Sequence, residues 1–134
     1  MPYTRLRYHI VTATHERKPF IFPDIERFIF AVMRAEARKM GCEIIAIGGI
    51  EDHLHMVSAI PPKIAVSIFI REVKTESSRA VKRQFAHMNK FAWQVGYSAF
   101  TVNPFDMKRL IHYVENQRER HARDDLWTEF ERIE

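Results

Sequence analysis

The stretch from Glu43 to Ile60 constrains the fold more than any other part of the chain. Two apolar runs, Glu43 to Ile50 and Leu54 to Ile60, are separated by the polar pair Glu51-Asp52, and the first is rich in isoleucine. So short a connection turns the second run back alongside the first, so the two are read as adjacent antiparallel strands of a hairpin. Pro61-Pro62 then ends the second strand, because proline cannot donate to a strand ladder.

The flanking sequence supplies what this hairpin packs against. From Arg5 to Thr12 the residues alternate, with Leu6, Tyr8 and Ile10 on one face and Arg7, His9 and Val11 on the other, which predicts a first strand. Pro23-Asp24 offers a helix start with Asp24 as N-cap; Ile25, Phe28, Ile29, Val32 and Met33 recur at helical spacing until Gly41 stops them. A second amphipathic helix is expected from Lys63 to about Phe85, marked by Val66, Phe69, Ile70, Val73, Ala80 and Val81. Tyr97 to Val102 alternates as a fourth strand. Asn103-Pro104 breaks it, Asp106 is placed to cap, and Leu110, Ile111 and Val114 define a last helix to about His121.

The order β-α-β-β-α-β-α predicts an α+β fold, a four-stranded antiparallel sheet with helices packed on one face, ferredoxin-like and close to the RRM-like sheet of RNA-binding domains. With 134 residues the chain is expected to form one domain over 1–123, followed by a short acidic tail over 124–134. No apolar run reaches the roughly 18 residues of a membrane span, and the start carries no signal-like segment, so a cytoplasmic protein without membrane partners is expected. The lone Cys42 has no intrachain partner and reads as a small core residue.

Charge is unevenly placed. Residues 61–90 carry 7 Lys/Arg against 2 Asp/Glu, whereas residues 124–134 carry 1 against 5. On the second helix Arg71, Lys74, Ser78 and Lys82 form one stripe of donors, with Arg79 and Arg83 beside it, a local positive field suited to a polyanion such as nucleic acid.

The chemistry-bearing residues are few. In His53-Leu54-His55, strand alternation points both imidazoles the same way, so that they can grip one divalent ion, while Leu54 and Met56 turn to the core. On the last helix Tyr113 and Gln117 are one turn apart on a common face, with His112 and Asn116 beside them. A phenol with an ordinary pKa of ~10 is a weak nucleophile, which a nearby cation improves. Gln117 offers a carbonyl oxygen to the same ion.

The run Gly48-Gly49-Ile50-Glu51-Asp52-His53-Leu54-His55, the helix phrase Ile70 to Ser78, the phrase Phe91 to Phe100, and Tyr113-Val114-Glu115-Asn116-Gln117 together resemble, in order and spacing, the single-tyrosine HUH transposases. Among these the chain is most similar to REP-associated tyrosine transposases and small bacterial insertion-sequence transposases, over roughly Tyr8 to His121. The resemblance implies that His53 and His55 are the paired metal ligands, that Gln117 completes the site, that Tyr113 is the nucleophile, and that the cofactor is Mg²⁺ or Mn²⁺. Asp52 reads as a simple turn residue, with orientation of the ligands as the alternative. The implied reaction is transesterification on single-stranded, hairpin-forming DNA through a 5′-phosphotyrosine, in a homodimer. Arg71, Lys74, Ser78, Arg79, Lys82 and Arg83 would then contact phosphates, and Trp93 or Tyr97 would stack a base. The pair Arg120-His121 and the acidic end depart from the family pattern. Two other readings stay open: a hairpin-binding regulator or nucleic-acid-binding module without turnover, and a small metal-dependent hydrolase.

Overall fold

The computed structural model describes residues 3–132; Met1, Pro2, Ile133 and Glu134, at the outer ends of the two expected segments, lie outside them. Four strands, β1 (Arg7–Ala13), β2 (Glu43–Ile50), β3 (His53–Ala59) and β4 (Ser98–Thr101), are joined by helices α1 (Pro23–Lys39), α2 (Val66–Gln84), α3 (Met107–Glu115) and α4 (Gln117–Ala122). The strands form one antiparallel sheet in the order β2-β3-β1-β4. Glu51-Asp52 is the turn of the β2–β3 hairpin, as the sequence predicts.

Strand alternation divides the interior in two. Ile10, Ile47, Leu54 and Met56 face a large core built with Ile25, Ile29 and Met33 of α1 and Phe69, Ile70, Val73 and Val81 of α2. Ala46 and Val57 face the opposite way, onto Leu110, Tyr113 and Val114 of α3. The expectation of helices on one face is corrected here: α1 and α2 cover one side, while α3 lies across the other. The apolar stripe of α3 needs a surface of its own, and α1 and α2 have already taken the first. Gly48 makes the close approach possible, since a Cβ at that position would lie 1.9 Å from the Val114 carbonyl oxygen.

Several boundaries differ from expectation for local reasons. Phe22, not Asp24, occupies the N-cap of α1; Pro23 is the first helical residue, and Asp24 and Glu26 sit in the first turn, where the helix dipole favours them. At the other end Gly41 adopts φ +76°, with its N–H on Arg38 O at 3.0 Å and Cys42 N–H on Ala37 O at 2.9 Å, so the chain turns sharply out of the helix. Cys42 is buried, as expected. The Asn103 side chain, rather than Asp106, makes the capping bond before α3, accepting from Phe105 N–H at 2.9 Å.

The single last helix expected to His121 is two helices, broken where Asn116 leaves helical geometry (φ −113°, ψ 32°). Arg118 ties α4 down, donating to Glu26, Glu51 and the Ile21 carbonyl, each at 2.8 Å. The acidic stretch that follows lies against the sheet: Trp127 and Phe130 pack on the second core. Among the described residues no helix is long and apolar enough to cross a membrane.

Candidate active site

β3 carries His53 opposite Ala13 and Ile50, and His55 opposite Val11 and Gly48, with both imidazoles on the α3 side of the sheet. Their ring centroids are 5.2 Å apart, and that of His55 is 5.8 Å from that of Tyr113. One chain therefore brings the histidine pair and the phenol together. All are deeply buried: Tyr113 and His55 are 0% exposed, His53 1%.

A carboxylate that the sequence reading did not select stands between them. Glu131 Oε1 lies 3.0 Å from His53 Nε2 and 3.0 Å from His121 Nε2. Glu131 Oε2 lies 3.0 Å from His55 Nε2 and accepts the hydroxyl hydrogen of Tyr113. The approach of His55 Nε2 is a close ion-pair distance without hydrogen-bond alignment, and among the described residues that buried nitrogen has no hydrogen-bond partner. Burial would push the Glu131 carboxyl up, yet His53, His55 and Tyr113 together hold it well below the usual range, so it is an anion. Burial and then Glu131 push the Tyr113 phenol well above its ordinary value, so it is protonated in this state.

A second rank of groups holds the first from behind. Asp52 Oδ1 is 2.9 Å from His53 Nδ1, and Arg17 holds the other oxygen of Asp52 at 3.2 Å. The His53 bond, with help from Arg17, lowers Asp52 to about 2 against the opposing effect of burial. Burial would lower His53, but its bonds to Asp52 and Glu131 raise it. His55 goes down, chiefly through burial. Its Nδ1 is 2.9 Å from His9 Nε2, and burial followed by the neighbouring His55 lowers His9 to about 3, so its ring is neutral. Trp127 stacks on Tyr113 at 4.3 Å and 12°, and the guanidinium of Arg120 lies 4.9 Å from the Tyr113 centroid.

The structure places Gln117 next to this group, with its oxygen directed elsewhere. Its Nε2 donates to Tyr113 O at 3.1 Å, the bond expected at i, i+4, while its Oε1 is 3.1 Å from His121 Nε2. The cluster whose donor atoms lie within 4.8 Å of one another is His53, His55 and Glu131. Two imidazole nitrogens and a carboxylate, with a partnerless His55 Nε2 among them, suit a divalent cation such as Mg²⁺ or Mn²⁺.

The six candidate phosphate contacts are all on α2, on the layer across the sheet from Tyr113. Arg71, Arg79, Lys82 and Arg83 are exposed, and Ser78 is partly buried. Lys74 is committed internally: Nζ donates to Gln94 O at 2.8 Å and to Gly96 O, and burial lowers its pKa. Trp93 and Tyr97 are partly buried and packed against the large core, with Trp93 Nε1 donating to Ser77 Oγ at 3.0 Å. Both aromatic rings are thus occupied with packing.

Six residues at the site, His9, Arg17, Arg120, His121, Trp127 and Glu131, are not among those predicted from the sequence. His9 was placed by period-two alternation on the face opposite Ile10, which is a usable signal. Arg120 and His121 follow Gln117 by one helical turn, at helical spacing. Glu131 carries no local signal, since 78 residues separate it from His53.

The family model described as IS200-like transposase matches residues 2–117, from before β1 into α4. The IS200 transposase of Salmonella typhimurium is 29% identical over 118 residues, 84% of this chain and 77% of the relative. The ISDra2 transposase TnpA of Deinococcus radiodurans is 21% identical over 121 residues, 87% and 86% of the two chains. Among solved structures, a candidate transposase from Deinococcus radiodurans R1 superposes with TM-score 0.73 at 23% identity, covering 87% of this chain and 93% of that one. A REP-associated tyrosine transposase bound to a REP hairpin gives TM-score 0.67 at 15% identity, over 94% and 73%. These two likenesses establish a shared fold. With a histidine pair and a helix-borne tyrosine meeting on one sheet face, and a family match across most of the sequence, the chain belongs to the IS200-like, single-tyrosine HUH transposases.

Proposed function

We propose that this transposase nicks and rejoins single-stranded DNA, Tyr113 Oη attacking a phosphodiester phosphorus and releasing a free 3′-OH. The phosphotyrosine keeps the bond energy, so a later 3′-OH can displace Tyr113 and reseal the strand without an external energy source. The observation that carries this reading is the meeting of Tyr113, His53 and His55 in one buried cluster of a single chain. His53 and His55 would hold Mg²⁺ or Mn²⁺, which when bound supplies polarisation of the phosphodiester. The third donor is an oxygen, from Gln117 as the resemblance implies or from Glu131; loss of Mn²⁺ binding in Gln117→Ala or in Glu131→Ala tells them apart.

The chain's own groups prepare the phenol. In the closed arrangement Glu131 keeps the Tyr113 proton in place, and Trp127 covers the ring. A DNA strand reaches Oη after Trp127 moves off the ring, and the phenol ionises once Glu131 no longer accepts its hydrogen bond. Arg120 then remains over the ring, where its positive charge favours the phenolate.

The substrate proposed is hairpin-forming DNA, supported by the relative bound to a REP hairpin. Arg71, Arg79, Lys82 and Arg83 would contact phosphates and set the position of the strand without reading its bases. A homodimer would serve to bring two cleavage sites together, since one chain already supplies the whole cluster.

Complete burial of Tyr113 favours a second reading, a hairpin-binding protein without turnover. With Mn²⁺ and a single-stranded hairpin oligonucleotide, the proposed enzyme leaves a covalent adduct on a denaturing gel, and Tyr113→Phe abolishes it while binding persists. Binding without any adduct supports the second reading. Cleaved, free products would mark a hydrolase.

A further inference from the structure

His9 stands in the middle of β1 on the site face, and it is 0% exposed. Its ring is walled by Phe100, at 5.7 Å between centroids, and by Phe130, edge-on at 4.8 Å. Among the described residues its one hydrogen bond joins Nε2 and His55 Nδ1, 2.9 Å apart, and its own Nδ1 is buried without a partner. Packing gives no reason for an imidazole here. A phenylalanine would suit the aromatic walls and leave no orphaned nitrogen.

The reason lies in His55. A neutral imidazole has one N–H and one lone pair, so the partner of one nitrogen decides what the other can do. For His55 Nε2 to present a lone pair to an ion shared with His53 and Glu131, the hydrogen must sit on His55 Nδ1 and be donated to His9 Nε2. That Nε2 has no aligned hydrogen bond. His53 is arranged in the same way, its Nδ1 held by Asp52 and its Nε2 turned to the shared centre. Both ligating nitrogens are thus backed by a second group, one a carboxylate at the hairpin turn and the other a histidine on the neighbouring strand.

We propose that His9 is a positioning residue that fixes the tautomer and ring orientation of His55, so that Nε2 is presented to the divalent ion. This rests on the reading that His53 and His55 hold that ion. His9 touches neither the ion nor the DNA.

The test compares the wild-type chain with His9→Phe and His9→Gln, reading Mn²⁺ affinity by electron paramagnetic resonance of the free ion together with thermal melting. His9→Phe should weaken Mn²⁺ binding by roughly 10–100-fold, as loss of an outer partner of a metal ligand does, with a melting temperature no lower than wild type. His9→Gln, whose amide oxygen can accept from His55 Nδ1, should restore affinity toward wild type. In the adduct assay His9→Phe should need more Mn²⁺ for half-maximal rate and approach the wild-type rate when saturated. Equal Mn²⁺ affinity in His9→Phe and wild type overturns the proposal, as does an equal loss in both variants accompanied by lower melting. If the wild type itself takes up no Mn²⁺, the ion-holding reading has failed and takes this one with it.

Discussion

The contact between β2 and α3 sets the position of the nucleophile, and Gly48→Ala perturbs it directly. A Cβ on Gly48 would lie 1.9 Å from Val114 O and 3.0 Å from Val114 C, and real Cβ atoms essentially never come within 3.0 Å of a neighbour. Helix α3 must therefore retreat by about 1.1 Å or more, because the obstacle is backbone and no side chain can swing aside. Tyr113 precedes Val114 and moves with it, while His53 and His55 stay on β3. A misplacement of about 1 Å costs on the order of 10²-fold in rate, equivalent to about 2.7 kcal/mol of barrier. Overpacking of this kind also costs about 1–3 kcal/mol of stability, which lowers the melting temperature by several degrees. The assay is the initial rate of Mn²⁺-dependent adduct formation on a hairpin oligonucleotide, well below the melting temperature, with binding measured in parallel. Binding should persist, because α2 lies across the sheet from the disturbed contact. An adduct rate within a few-fold of wild type and an unchanged melting curve would refute the idea that this backbone contact positions Tyr113.

Trp127 stacks on Tyr113, so a strand that reaches the phenol must move the indole; in a Trp93→Phe background its fluorescence should shift to the red when hairpin DNA binds, and unchanged emission would mean that the segment stays closed. Glu131 is held below its ordinary value of 4.5, so its contacts stabilise the metal-free protein fully above that value and are lost as pH falls through the folded-state value. Melting temperature should therefore drop on acidification below about pH 4.5, and Glu131→Gln should drop less; identical curves would sever the link. Lys82 is exposed, and Lys82→Met should lower affinity for all single-stranded DNA and reduce the salt slope by about one. Lys74→Met should leave that slope unchanged and lower the melting temperature, since Lys74 holds the Gln94 and Gly96 carbonyls.

The element order, the hairpin, the shared direction of His53 and His55 and the one-turn spacing of Tyr113 and Gln117 were all legible in the sequence. Each depends on periodicity within a few residues, where backbone geometry alone decides which side chains share a face. Gly48-Gly49 was legible as part of a motif, but its purpose as the seat of α3 became visible when the two elements met. The break at Asn116 and the N-cap of α1, Phe22 rather than Asp24, were not legible, because competing local signals at helix ends are close in energy.

Sequence alone thus determined the parts: a sheet with a histidine pair on one face and a helix presenting a phenol. Tertiary structure decided the environment. It sent α3 to the unoccupied face of the sheet, committed Lys74 to internal carbonyls, put His9 behind His55 and folded Glu131 from the far end of the chain into the centre of the site. Those outcomes depend on which surfaces remain to be covered once the first core has formed, and on polar and charged groups that meet across 46 and 78 residues of chain. No local pattern encodes such meetings, because the free energy that creates them, burial of apolar surface and pairing of buried charge, exists only after the chain has closed on itself.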